Sequence, residues 1–249
     1  MEVHHHPHTE GKKWTHYFWE FLMLFLAVFC GFLVENFREH YVEHQREKQY
    51  MQSLISDLSL DTAMFNNGFP RRDARIKAID SVFQFFKTHR DARSLTGRLF
   101  RTFRRTTYDV SYRRNNITIN QLKNSGGMRL IRKKNVADSI AAYDAKWEWL
   151  EKAYNENHLH YEQIGQELAE KLVSAEDLLA FYEDNESEAI VTNIPDSMMI
   201  RINIPDLNQH LNFLMQQKVF TRQEWNLYKS LEQNAGRLIE LIKKEYHLK

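Results

Sequence analysis

The sequence predicts a mainly α-helical protein: an N-terminal transmembrane helix that continues into a long helical stalk, then an antiparallel helical bundle with at most one short strand pair. Only eight glycines and four prolines occur in 249 residues, too few to supply the turns of an all-β fold. Apolar residues recur at alternating steps of three and four, the spacing of a helix face. The predicted segments are a histidine-rich tail (1–13), a membrane span (14–34), a stalk (35–66) and a helical soluble domain (70–249).

The membrane span is predicted from length and apolar composition. Residues 14–34 read WTHYFWEFLMLFLAVFCGFLV. A helix rises 1.5 Å per residue, so about 20 residues cross ~30 Å of hydrocarbon. Trp14, Tyr17 and Trp19 cluster at its start, as in an interfacial aromatic belt. A cleaved signal peptide and a buried core helix are the alternatives, and the first is disfavoured because no small-residue cleavage site follows.

Basic residues on the two sides of the span are nearly balanced. Lys12 and Lys13 precede it, and Arg38, Arg46 and Lys48 follow it. A short basic tail before an uncleaved apolar run is typical of a signal anchor. We therefore predict a bacterial inner-membrane protein whose N-terminus is cytoplasmic and whose soluble domain is periplasmic.

A heptad-like stripe continues beyond the span and predicts a coiled coil. Within the span, Glu20, Ala27 and Gly31 lie on the same face, and the small pair Ala27-x-x-x-Gly31 favours close helix contact in lipid. A homo-oligomer through span and stalk is one interpretation, and packing against the protein's own bundle is the other. The stripe comprises Val34, Phe37, Tyr41, His44, Lys48, Met51, Ile55, Leu58, Thr62 and Phe65.

Turn and capping residues divide the rest of the chain. Gly68 followed by Pro70 predicts that the stalk helix ends within residues 66–70. Thr221 with Glu224 forms a capping box that predicts a new helix start. The further predicted elements are an amphipathic helix over 71–88, a long helix from Asn135 through Leu168, a short strand within 198–204, and two last helices near 206–218 and 221–247.

Charge is strongly segregated along the chain, although the net charge is only +1. Residues 71–134 carry 18 basic and four acidic side chains, whereas residues 135–249 carry 11 basic and 20 acidic ones. Either this basic block packs against the protein's own acidic helices, or it contacts membrane lipid or a polyanionic envelope polymer. Nucleic acid is not an expected partner. The candidate polyanion or lipid contacts are Arg98, Arg101, Arg104, Arg105, Arg113, Arg114, Arg132, Lys133 and Lys134.

Two groups of histidines are candidate metal ligands. The tail residues His4, His5, His6 and His8 can chelate a divalent transition metal opportunistically, but a tail lacks the surrounding contacts that fix ligand geometry. His40 and His44 lie one helical turn apart, where a solvated stalk is the simpler interpretation. We expect no dedicated cofactor.

No catalytic motif is present, so we expect no enzymatic activity. The single cysteine excludes an internal disulfide and a thiolate zinc cluster, and the sequence contains no phosphate-binding glycine loop or nucleophile elbow. A non-enzymatic binding or scaffold role at the cell envelope is the leading hypothesis. The alternatives are a sensor or regulatory protein, or an accessory subunit that docks on other membrane subunits.

Two blocks of the sequence resemble a family of small single-pass membrane proteins from Bacteroidota. They are MEVHHHPH, continuing as KKWTHYFWEFLMLFLAVFCGFLVENFREH, and QLKNSGGMRLIRKKNVADSIAAYD. The resemblance covers about 60 residues. It implies a single span, a mostly helical soluble part and native histidines, and it implies no catalytic residues.

Overall fold

The computed structural model describes residues 14–179 and 194–248, apart from the side chains of residues 154–159 and 179. The chain divides into two compact units, Met1–Tyr50 and Met51–Lys249. The described part is mainly helical with a single two-stranded antiparallel sheet, which confirms the predicted fold class. The histidine-rich tail lies outside the described residues.

Six α-helices, a short 3₁₀ helix and two strands make up the described part. The helices are α1 (Trp14–Thr88), α2 (Gly97–Thr107), α3 (Ile117–Asn124), α4 (Lys134–Leu172), α5 (Ala175–Leu179) and α6 (Ile204–Tyr246). The 3₁₀ helix is Gly127–Leu130, and the strands are β1 (Ser94–Thr96) and β2 (Met199–Arg201). The long helix expected from Asn135 is therefore confirmed as α4.

The predicted helix end at residues 66–70 is wrong, because α1 continues through Pro70 to Thr88. A proline inside a helix removes one hydrogen bond and crowds the preceding turn, at a cost of about 3 kcal/mol. Aromatic packing at this turn opposes that cost: the Phe69 ring stacks on Trp225 with centroids 5.7 Å apart. Tertiary contacts therefore outweigh the local stop signal.

Gly68 allows a close approach between α1 and the segment after α2. A Cβ atom at this position would overlap the Tyr112 ring, which is itself buried. The same ring lies 5.4 Å from the Phe65 ring. The glycine that the sequence marks as a helix terminator is therefore a packing residue within the helix.

The two predicted C-terminal helices are one continuous helix, α6. Thr221 does not cap a helix start. Its side chain is buried, and its hydroxyl accepts a 2.7 Å hydrogen bond from Arg75 Nη1. A capping box needs a free hydroxyl beside exposed backbone N–H groups, and neither condition holds here.

Helices α4 and α6 pack antiparallel along most of their length. Asn135 Nδ2 at the start of α4 donates to Glu245 Oε1 near the end of α6, at 3.0 Å. Further along α4, Lys146 donates to Ser230, earlier in α6. This order confirms the predicted antiparallel bundle.

The short sheet closes one end of the second unit's core. Leu95 of β1 lies opposite Ile200 of β2, and both side chains are fully buried. They pack in one cluster with Val82 of α1, Phe103 of α2 and Leu172 of α4. The single strand expected within residues 198–204 is therefore β2, and it pairs with β1.

The heptad stripe divides at the boundary between the two units. Met51, Leu58 and Phe65 are at most 1 % exposed within the second unit. Their burial supports the interpretation that this part of the stripe packs on the protein's own bundle. Phe37 and Tyr41 in the first unit are exposed.

Candidate functional site

Large apolar side chains cover the first part of α1 without being buried. Among the described residues, α1 alone is long and apolar enough to cross a membrane, and none of its apolar window is buried. A soluble protein rarely leaves such a continuous apolar surface in water. The exposed residues are Trp14, Tyr17, Phe18, Trp19, Phe21, Met23, Leu24, Phe25, Leu26, Val28, Phe29, Phe32, Leu33 and Val34.

The predicted helix-contact residues lie on this exposed surface. Glu20, Ala27 and Gly31 are all exposed. A Cβ atom added at Gly31 would meet no described atom within 4 Å. The surface is therefore open to a second helix, and contact through it remains a prediction.

His40 and His44 each lie beside a glutamate of the same helix. His40 Nδ1 is 3.8 Å from Glu43 Oε2, and His44 Nδ1 is 3.4 Å from Glu47 Oε2. No group of three or more potential metal ligands occurs among the described residues. His4, His5, His6 and His8 lie outside them.

Two arginines among the predicted polyanion contacts form ion pairs within the second unit. Arg101 donates to the carboxylate of Asp196 and to a backbone carbonyl. The side chain of Arg114 is 7 % exposed, pairs with Asp144, and has its Nε 3.4 Å from Glu151 Oε1. Internal pairing therefore accounts for these two residues.

The remaining predicted polyanion contacts lie nearer the surface. The Arg104 guanidinium lies 5.6 Å from the centre of the Tyr108 ring, and Lys133 Nζ lies 3.6 Å from Glu245 Oε2. A role in polyanion contact remains a prediction for the exposed members. These are Arg98, Arg105, Arg113, Arg132, Lys133 and Lys134.

Four charged side chains form a buried charge layer, defined as Arg72, Arg75, Asp109 and Glu224. Arg72 Nη2 lies 2.9 Å from Asp109 Oδ2 and also donates to Glu224. Arg75 Nη1 lies 2.8 Å from the same Asp109 oxygen. Arg72 is fully buried, and the Asp109 side chain is 2 % exposed. Two positive and two negative charges therefore neutralise one another inside the bundle.

The ionisation of Arg72 and Asp109 is governed by their charged neighbours in this layer. Burial by itself would raise the pKa of Asp109, but Arg72 and Arg75 outweigh burial and hold that pKa below its usual value. Burial would likewise lower the pKa of Arg72, but Asp109 and Glu224 raise it. Burial raises the pKa of the neighbouring Tyr112 to about 12. Both shifts favour the charged forms of Arg72 and Asp109.

Two aspartates of α1 hold the segment that carries Asp109. Asp61 accepts hydrogen bonds from the Asn115 backbone N–H at 2.8 Å and from the Tyr143 hydroxyl at 2.7 Å. Asp57 accepts from the Thr118 backbone N–H at 2.9 Å, so it caps the start of α3. These contacts tie the segment between α2 and α3 to α1.

A cavity of about 270 Å³ lies between α4 and α6, beside the buried charge layer. We call it the α4–α6 cavity. Asp109 and Glu224 of the charge layer line it, together with polar and apolar side chains. The other lining residues are Trp149, Leu150, Ala153, Tyr161, Gln217, Phe220, Thr221, Gln223 and Leu227.

Sequence reasoning missed the buried charge layer and the cavity. In the sequence, Arg72 and Arg75 are counted in the basic block without being separated from its other members, yet they continue the buried stripe of Phe65, Ile79 and Val82 at helical spacing. This spacing indicates the buried charges, because a basic residue on the same helix face as an apolar stripe is buried and needs an acidic partner.

Comparison of the chain with protein-family models, with curated proteins and with solved structures gives no match.

Proposed function

We propose that the chain is a single-pass membrane protein of the bacterial inner membrane whose helical domain has a non-enzymatic binding role. One observation carries the anchoring: fourteen large apolar side chains between Trp14 and Val34 are exposed. At ~1.5 kcal/mol each, their transfer out of water is worth roughly 20 kcal/mol. That exceeds the net stability of a typical domain, about 5–15 kcal/mol. A bilayer is the environment that matches this surface.

The orientation follows from the signal-anchor pattern. Lys12 and Lys13 precede the span and favour a cytoplasmic N-terminus. The helical domain is then periplasmic. The resemblance to single-pass proteins of Bacteroidota implies the single span on which this orientation depends.

The binding role is supported by the α4–α6 cavity and by the open surface of the span. The cavity combines apolar walls with a few polar groups, which is the general composition of small-molecule sites. The span presents Ala27 and Gly31 for contact with a second helix. The first feature favours ligand recognition, and the second favours self-association or docking on other membrane subunits.

Alkaline carbonate extraction tests the anchoring. The wild-type chain is expected to stay in the membrane pellet, whereas Leu24→Arg/Val28→Arg is expected to leave it, because two charges at the bilayer centre are costly. Gln52→Arg/Ser56→Arg is the matched control, with the same change and spacing at exposed positions further along α1. Release of the wild-type chain as a soluble protein would overturn the proposal.

A further inference from the structure

We propose that the α4–α6 cavity binds a small organic cation, a substituted ammonium compound. The inference deepens the proposed binding role and rests on it. It depends on three properties of the cavity: the sign of the charge on its walls, its aromatic rim and its size.

The charged residues that line the cavity are acidic. Asp109 and Glu224 line the cavity, and among the described lining residues no side chain is basic. Their partners Arg72 and Arg75 belong to the charge layer but are not part of the lining. The charged residues of the lining itself are therefore acidic, while Arg75 lies directly behind it and donates to the lining residues Thr221 and Gln217. The exposed part of the Glu224 carboxylate favours a cation over an anion at the cavity.

Glu224 is the more accessible of the two carboxylates. Its side chain is 24 % exposed, compared with 2 % for Asp109. The Asp109 oxygens accept hydrogen bonds from Arg72, from Arg75 and from the Val110 backbone N–H. Asp109 therefore holds the wall in place, and Glu224 is the group that a ligand approaches.

Aromatic side chains form the rim of the cavity. Trp149 is 59 % exposed, whereas Trp147, two residues earlier on α4, is buried in the core. The Tyr161 and Phe220 rings lie 5.3 Å apart across α4 and α6. Ring faces of this kind attract ammonium groups, and tryptophan does so most strongly. An exposed tryptophan beside a carboxylate-lined cavity is the combination that recognises an apolar ammonium.

The cavity size limits the ligand to a compact molecule. Its volume of about 270 Å³ lies just below the range of roughly 300–1,000 Å³ for sites of drug-sized ligands. Gln217 and Thr221 also line the cavity. Their side-chain oxygens accept from Arg75, so the Gln217 amide N–H and the Thr221 O–H are the groups that can donate to a hydroxyl or carbonyl oxygen of a ligand. Choline, a hydroxylated quaternary ammonium, is a suitable probe of this chemistry.

Calorimetric titration of the full chain in dodecyl maltoside micelles tests the proposal. Choline is expected to bind, and its neutral carbon analogue 3,3-dimethylbutanol is expected to bind about tenfold more weakly because it lacks the charge. Glycerophosphocholine tests a lipid headgroup as the source of the ammonium. If glycerophosphocholine binds as tightly as choline, the ligand is a lipid headgroup. If it binds more weakly than choline, the ligand is a free cation. Both results support an ammonium ligand.

Substitutions at exposed positions separate recognition from folding. Trp149→Leu is expected to weaken choline binding about tenfold, while Tyr108→Leu, at an exposed ring elsewhere, leaves it unchanged. Gln223→Lys at the exposed edge of the lining is expected to weaken choline binding, and Gln223→Glu is expected to strengthen it.

Three results would overturn the inference: equal binding of choline and its neutral analogue, no binding of either, or an unchanged choline affinity in Trp149→Leu. Carbonate extraction does not depend on choline. A negative choline titration would therefore leave the proposed membrane anchoring unaffected.

Discussion

A buried histidine makes the stability of the helical domain depend on pH. His210 of α6 is 1 % exposed, and its ring centre lies 4.7 Å from that of Phe103. Neither ring nitrogen has a hydrogen-bond partner among the described residues. Burial lowers the pKa of His210 to about 4. Protonation in the folded state would place an unpaired charge in an apolar core.

The magnitude follows from the difference between the folded and unfolded pKa values of His210. The unfolded value is about 6.5, and the folded value is about 4. Because the folded pKa is the lower one, the unfolded state holds the extra proton between these values. This contribution to the free energy of unfolding is therefore complete above about pH 6.5 and is lost as the pH falls through 4, by about 3 kcal/mol in total. That is a large part of the usual net stability of about 5–15 kcal/mol.

Urea unfolding of the full chain in dodecyl maltoside, followed by tryptophan fluorescence, measures this loss. The wild-type chain is expected to lose about 2–3 kcal/mol more than His210→Phe between pH 7 and pH 4.5. The control His160→Phe makes the same change at an exposed position and is expected to keep the wild-type pH dependence. Parallel pH profiles for the wild-type chain and His210→Phe would refute the reasoning.

Three further predictions concern orientation, the charge layer and the basic surface. A reporter active only outside the cytoplasm is expected to be active when fused after Lys249, and activity of a cytoplasm-only reporter at that point would contradict the orientation. Asp109→Asn is expected to lower the free energy of unfolding by about 3–5 kcal/mol, because it leaves two buried guanidinium groups, Arg72 and Arg75, with Glu224 as the one carboxylate of the layer. The exposed control Asp91→Asn is expected to change it by less than about 0.5 kcal/mol. If the basic surface binds polyanions, Arg98→Ala/Arg105→Ala is expected to elute from heparin at lower salt than the wild-type chain, and identical elution would argue against that role.

The elements that could be predicted from the sequence depend on local periodicity. Helix α4 and the apolar span follow from the spacing and length of apolar runs, and β2 follows from a short apolar run bounded by proline. These patterns are properties of neighbouring residues. Their prediction needs no knowledge of what the element packs against.

Helix ends were harder to predict, because capping and stop signals are weak compared with packing. Pro70 lies inside α1, where Phe69 stacks on Trp225, and Thr221 lies inside α6, where it binds Arg75. A cap is worth about 1 kcal/mol. Burial of one large side chain is worth about 1.5–3 kcal/mol, so tertiary contacts decide the outcome.

The candidate site could not be assembled from the sequence, because its members are far apart in the chain. Arg72 is 37 residues from Asp109 and 152 residues from Glu224. Only the fold brings these three residues together beside the α4–α6 cavity. Trp149 is an exposed aromatic residue of α4, and the sequence around it does not indicate the cavity that it lines.

The reactivity of Cys30 tests the membrane anchoring most directly. It is the single cysteine of the chain, and it lies within the predicted span. A thiol within the hydrocarbon of a bilayer does not meet a water-soluble reagent. In open membrane sheets, where the reagent reaches both faces, a charged maleimide is expected to leave Cys30 unmodified while it labels Gln52→Cys in a Cys30→Ser background. Labelling of Cys30 as fast as that of the cysteine at position 52 would contradict the account.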